Sequence, residues 1–170
     1  IPFNRYESSR EAHSKVSDVL DTEDVNQVKQ LQDEFASYIG VKFALATSHG
    51  TSALHLAMLA LDLKRGDKVV CSVNSHPNVP EVVRHFDAEP VFMDIDPGSY
   101  NVNLDKLEAY LEDNESKKLK AVILTHIGGG CVDLDRVYKM AKIYDVKIVE
   151  DARDAFGSTY KGEKVGSTGA

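Results

Sequence analysis

The sequence predicts an α/β fold, a mostly parallel central sheet with helices on both faces. Two observations carry that expectation. Short apolar runs alternate with helical patterns along most of the chain. Several of the runs are almost wholly apolar, as parallel strands covered on both faces must be. Strand–helix–strand units joined by right-handed crossovers then give a doubly wound layer.

Taken in order, residues 1–26 read as a polar N-terminal segment, with Ser8-Ser9 and Asp21-Thr-Glu-Asp24. A helix is expected over Val25 to Tyr38, where Val28, Leu31, Phe35 and Tyr38 recur at spacings of three and four. Gly40 is placed to end it in a left-handed cap. Strands are expected at Phe43–Ala46, Lys68–Cys71, Pro90–Met93, Ala121–Thr125 and Val146–Val149. Helices are expected between them, near 51–62, 79–86, 104–113 and 133–144. The tail from Phe156 to Val165 reads as a hairpin turning at Lys161-Gly162. Residues 27–170 thus read as one large domain.

Composition narrows the function. Of 170 residues, 42% are hydrophobic and 28% charged, which is globular usage. The net charge is −7 and the isoelectric point about 5.3, so a role in coating nucleic acid is not expected. No apolar run reaches the roughly 20 residues of a membrane span. No basic start followed by an apolar middle marks a signal peptide, and a cytoplasmic location is expected. Cys71 and Cys131 form no metal-binding cluster, and no metal is expected.

Ligands of open α/β sheets gather at the carboxyl ends of the strands. Four loops there carry chemistry. Thr47-Ser-His-Gly-Thr-Ser52 opens a helix with a glycine and two hydroxyls, which suits a phosphate or a plain helix cap. Asn74-Ser-His-Pro-Asn78 holds His76, a base, a stacking plate or a surface histidine. His126-Ile-Gly-Gly-Gly130 allows close approach of a ligand to backbone, or a sharp turn. Glu150-Asp151-Ala-Arg-Asp154 places carboxylates at a strand end, where they can meet a metal, a ribose hydroxyl or a protonated ring nitrogen, or cap a helix.

Together these loops resemble one family. The ordered motifs are Phe35-Ala-Ser-Tyr-Ile-Gly40, Ser48-His-Gly-Thr-Ser-Ala-Leu-His-Leu-Ala57, Gly66-Asp-Lys-Val-Val70 and Glu89-Pro-Val-Phe-Met-Asp94. Val149-Glu-Asp-Ala152, Gly157-Ser-Thr-Tyr-Lys-Gly162 and Val165-Gly-Ser-Thr-Gly169 follow. From about Leu31 to Gly169 the chain resembles the DegT/DnrJ/EryC1/StrS nucleotide-sugar aminotransferases, fold-type-I enzymes that use pyridoxal 5′-phosphate (PLP). The resemblance implies that Gly50, Thr51 and Ser52 cradle the cofactor phosphate and that Asp151 pairs with its pyridine nitrogen. It places His76 where the family carries an aromatic stacked on the ring, and Asp154 where it carries Gln or His near the ring. Both are departures, and Arg153 is a neighbour able to balance Asp154. The segment from Asp21 to Leu31 is shorter than the family's.

The family's Schiff-base lysine lies beyond Ala170; Lys161 and Lys164 are not its match. The chain therefore reads as the N-terminal part of a larger enzyme, inactive alone. The implied reaction moves an amino group from an amino acid, usually glutamate, to a keto-sugar on a nucleotide, within a homodimer. The alternatives are a dehydratase of the same family, with histidine in place of the lysine, and a non-catalytic α/β binding module.

Overall fold

Apolar runs need partners to become strands, and four of the five expected runs have them. In the computed structural model, which describes residues 8–21, 26–114 and 116–168, β1 (Lys68–Ser72), β2 (Glu89–Met93), β3 (Leu119–Thr125) and β4 (Lys147–Asp151) form a wholly parallel sheet. Its order is β2-β1-β3-β4. All the carboxyl ends therefore lie along one edge.

Phe43–Ala46 is the exception. The run pairs with no strand among the described residues, and Phe43 and Leu45 are exposed. Its Ala46 N–H is taken by the Gln32 side chain at 2.9 Å. An apolar run without a ladder is not a strand, so that expectation fails.

The helices are α1 (Arg10–Asp21), α2 (Gln27–Ile39), α3 (Gly50–Ala60), α4 (Asn78–Arg84), α5 (Leu104–Asp113) and α6 (Leu134–Ile143). Sequence reading missed α1 within the polar segment. Ser9 Oγ accepts the Ala12 N–H at 3.0 Å and caps its start. The expected start of α2 at Val25 lies outside the described residues. Gly40 ends α2 at φ 89°, bonding back to Ala36, as expected. The anticipated apolar face is not buried: Val28, Leu31, Phe35 and Tyr38 are exposed, whereas Ala36 and Ile39 are covered. Phe35 and Tyr38 instead stack on Phe156.

Successive strand residues point to opposite faces, and the two cores show it. Val69, Cys71, Ala121 and Ile123 pack with Met58 of α3 and Val79, Val82 and Val83 of α4. On the other face, Val70, Val122 and Leu124 pack with Leu107 and Leu111 of α5 and Leu134, Val137 and Met140 of α6. Side-chain caps at Asn103 and Asp133 start α5 and α6. Arg136 of α6 joins Asp105 and Glu108 of α5, at 2.6 and 2.5 Å. The expected hairpin is present as β5 (Thr159–Tyr160) and β6 (Glu163–Lys164), turning through Lys161 and Gly162 at φ 51° and 90°. Among the described residues, no helix is long and apolar enough to cross a membrane.

Leu107 is fully buried beneath the sheet. Leu107→Ala is expected to cost about 2–5 kcal/mol through lost contacts and a residual cavity. Urea unfolding of the intact protein checks this, and a loss below about 1 kcal/mol would mean that α5 is not packed as described.

Candidate active site

Helix α3 begins without a side-chain cap. His49 is its N-cap residue, and its side chain accepts no hydrogen bond from the backbone N–H groups of the first turn. The two hydroxyls do not cap it either. Ser52 Oγ lies 3.0 Å from His49 Nδ1 and 3.3 Å from Ser48 Oγ. Thr51 Oγ1 accepts from Asn78 Nδ2. The helix-cap alternative for these residues therefore has no bond to support it. Gly50 is also unexplained by packing. A Cβ there would meet nothing within 4 Å, and its backbone does not require glycine. Its bare Cα leaves room for a group outside the chain, beside the positive end of a helix dipole.

Two loops meet at this point. His76 follows β1 and is exposed, and its Nδ1 accepts the Asn78 N–H at 3.2 Å. An accepting Nδ1 carries no proton. Asn78 therefore links His76 to Thr51, and was missed because an amide beside proline reads as a turn residue.

Asp151 is the last residue of β4, which removes the helix-cap reading for it. Alternation puts it on the same sheet face as Val149 and Ile123, the face that packs against α3 and α4. Thr125, buried at the end of β3, places Oγ1 3.5 Å from Asp151 Oδ2. The start of α3 adjoins the start of α4 through Thr51 and Asn78, and α4 follows the carboxyl end of β1. Asp151 and the uncapped helix thus share one face and one edge of the sheet.

Asp154 stands in the short 3-10 turn after β4, half-exposed, with Arg153 Nε 3.8 Å from its Oδ1. Arg153 is the neighbour that balances its charge, weakly at this exposure. The triple-glycine loop serves the chain itself. Gly128 and Gly129 have φ 59° and 84°, and a Cβ on Gly129 would come within 3.3 Å of Ser158 Oγ. Gly129 permits close packing against the 153–158 segment, whereas Gly128 is favoured by its positive φ alone. Lys161 pairs with Asp135, and Lys164 lies over the Tyr38 ring at 3.8 Å. Burial pushes the Cys71 thiol up to about 12; burial, with help from Glu150 and Asp133, pushes Cys131 up to about 11. Both stay protonated and unreactive near neutral pH.

A parallel sheet whose carboxyl edge carries an uncapped helix start and a carboxylate on the same face defines a class, the α/β folds whose ligand sites lie at the strand ends. Comparison with known proteins is specific. A profile of the DegT/DnrJ/EryC1/StrS aminotransferase family matches residues 7–170. GDP-perosamine synthase of Caulobacter vibrioides is 35% identical over 142 residues, 84% of this chain and 37% of that protein. UDP-2-acetamido-2-deoxy-3-oxo-D-glucuronate aminotransferase of Pseudomonas aeruginosa is 33% identical over 138 residues, 81% of this chain and 37% of its own.

Among solved structures, the aminotransferase from Psychrobacter cryohalolentis superposes with a TM-score of 0.89 at 30% identity, covering 97% of this chain and 42% of its own. The PLP form of a putative sugar aminotransferase from Streptococcus pneumoniae gives 0.89 at 26%, covering 98% and 46%. The chain belongs to the DegT/DnrJ/EryC1/StrS aminotransferase family, whose fold is that of the fold-type-I enzymes and whose cofactor is PLP. It spans about two-fifths of the length of the relatives it matches.

Proposed function

We propose that the intact protein uses PLP to move an amino group from an amino acid, glutamate foremost, to a nucleotide-linked keto-sugar in glycan or related sugar biosynthesis. The observation that supports this best is the pairing of an uncapped α3 with Asp151 on one sheet face and edge. A molecule with a phosphate at one end and a basic ring nitrogen at the other suits that pair. Curated relatives named for sugar amination support the substrate class.

Each residue then has a task. Gly50, Thr51 and Ser52 hold the phosphate with backbone N–H groups, two hydroxyls and the helix dipole. Asp151 holds the pyridine nitrogen protonated by its negative charge. His76, its ring fixed by the Asn78 N–H, is assigned the face of that ring, and Asp154 its edge. When bound, PLP supplies an electron sink for the reacting carbon. In this reading residues 27–170 form most of the cofactor domain behind the N-terminal segment 1–26. The lysine that binds PLP is carried beyond Ala170, and the working unit is a homodimer.

Incubating the intact protein with PLP, glutamate and a GDP- or UDP-linked keto-sugar is expected to give 2-oxoglutarate and amino-sugar in equal amounts. Loss of a sugar hydroxyl without gain of nitrogen would replace this reading with the dehydratase. Gly50→Ala offers a second check. The methyl group meets no protein atom and alanine favours helix, so stability is expected to hold. PLP affinity is expected to fall by about an order of magnitude, because the methyl group occupies the space left for the phosphate. Unchanged affinity in an equilibrium titration would take the phosphate away from this helix.

A further inference from the structure

Directly behind Asp151, on the opposite face of the sheet, three polar side chains meet, His126 fully buried and Glu150 and Tyr138 partly so. Glu150 precedes Asp151 in β4, so its side chain points towards α6. That side chain is only 9% exposed, and His126, the residue after β3, is completely buried. His126 Nε2 lies 2.9 Å from Glu150 Oε2, and the Tyr138 hydroxyl of α6 donates to Oε1 at 2.5 Å. Each carboxylate oxygen is held from a different element.

His126 also reaches past Glu150. Its backbone N–H donates to the Asp151 carbonyl at 3.1 Å, beyond the last ladder pair, Thr125 with Asp151. One residue therefore grips the side chain of Glu150 and the main chain of Asp151. Its Nδ1 has no hydrogen-bond partner among the described residues, so Glu150 is what orients the ring. Burial works to raise the Glu150 pKa, but His126 and Tyr138, joined by the Gly166 backbone N–H, outweigh it and hold the carboxyl below its ordinary value. Facing an ionised carboxylate, Nε2 must be the donor.

A buried charge is costly, and apolar side chains of similar size often pack at least as stably in its place. Most of this face is apolar, from Val70 to Ile148, with Ser72 buried at the carboxyl end of β1. The ionisable cluster lies at the position adjoining Asp151. Alternation keeps all three side chains away from the face assigned to the ligand, so they do not touch the reacting atoms.

Resting on the proposed function above, we propose that Glu150, His126 and Tyr138 are positioning residues that fix the end of β4 and thereby aim Asp151 at the cofactor's ring nitrogen. Displacing Glu150 frees the His126 ring and loosens the N–H that pins Asp151. The carboxylate then still carries its charge, but no longer at a fixed distance from its partner. The result is a weaker hold on the proton, not the loss of the site.

The test uses intact holoenzyme reconstituted with PLP labelled with ¹⁵N in the ring, and the variants Glu150→Gln and Tyr138→Phe. Tyr138→Phe removes one hydroxyl and preserves packing, so it remains informative if Glu150→Gln folds poorly. The ¹⁵N shift is followed against pH, alongside melting temperature, PLP affinity, kcat and KM. In each variant the midpoint for ring-nitrogen protonation is expected to drop by about half a unit or more. With it, kcat is expected to fall several-fold while KM and phosphate-anchored PLP affinity hold. A lowered melting temperature with an unchanged midpoint and kcat would leave the cluster a purely structural role and overturn the inference. A neutral ring nitrogen already in the unsubstituted protein would instead overturn the proposed function itself.

Discussion

Asp151→Asn is expected to lower amino transfer by the intact protein roughly 10- to 1,000-fold while leaving PLP bound. The range follows from the charge. An opposite charge nearby shifts a pKa by about 1–3 units, and each unit lost reduces the protonated fraction of the ring nitrogen about tenfold. Asparagine preserves the shape at the end of β4. Its main-chain bond from the His126 N–H is untouched, and Thr125 Oγ1 still has a side-chain oxygen within reach. Stability should therefore change little, and the phosphate contacts at α3 should retain the cofactor. Turnover and cofactor content are measured on the same sample. Near-normal turnover at full occupancy would make Asp151 a structural acid.

Thr51→Ala with Ser52→Ala is expected to weaken PLP binding by roughly 10- to 100-fold. A hydrogen bond to a charged group contributes about 1.5–3 kcal/mol. Two hydroxyls are lost, but the backbone N–H groups of the first turn and the helix dipole remain, so the full sum is not expected. The local structure loses a little too, since Thr51 accepts from Asn78 and Ser52 bonds His49. A thermal melt of the double variant separates that effect from affinity. Unchanged affinity in an equilibrium titration would reduce both hydroxyls to local ties between α3 and its neighbours.

Much of this arrangement is legible in the sequence because burial writes itself into strands. β1 and β3 are apolar on both faces and stand out at once. Asp151 is legible for the same reason, as the acid that ends such a strand. Phe43–Ala46 is equally apolar, and there the rule fails, because composition reports burial tendency and not the presence of a ladder partner. The face of Val28, Leu31, Phe35 and Tyr38 misleads in the same way: periodicity gives a stripe but not its direction.

Helix α1 was recoverable. Ser9 in a capping position and the spacing of Val16, Val19 and Leu20 are ordinary helix signals, overshadowed by the polar residues around them. The cluster behind Asp151 was harder. His126 is followed by three glycines and reads as part of a loop, although it is buried. Glu150 is visible only once alternation in β4 is traced to Tyr138 on α6, a contact between residues twelve apart that no local pattern announces. Asn78 was hidden for a similar reason, because its partner Thr51 lies twenty-seven positions away.

The protonation of the bound cofactor's ring nitrogen tests the central claim most directly. With ¹⁵N-labelled PLP in the intact protein, the account predicts a pyridinium shift through neutral pH that becomes a neutral-pyridine shift in Asp151→Asn, with the phosphate still bound. A neutral-pyridine shift in the unsubstituted protein, or a pyridinium shift that survives Asp151→Asn, would contradict it.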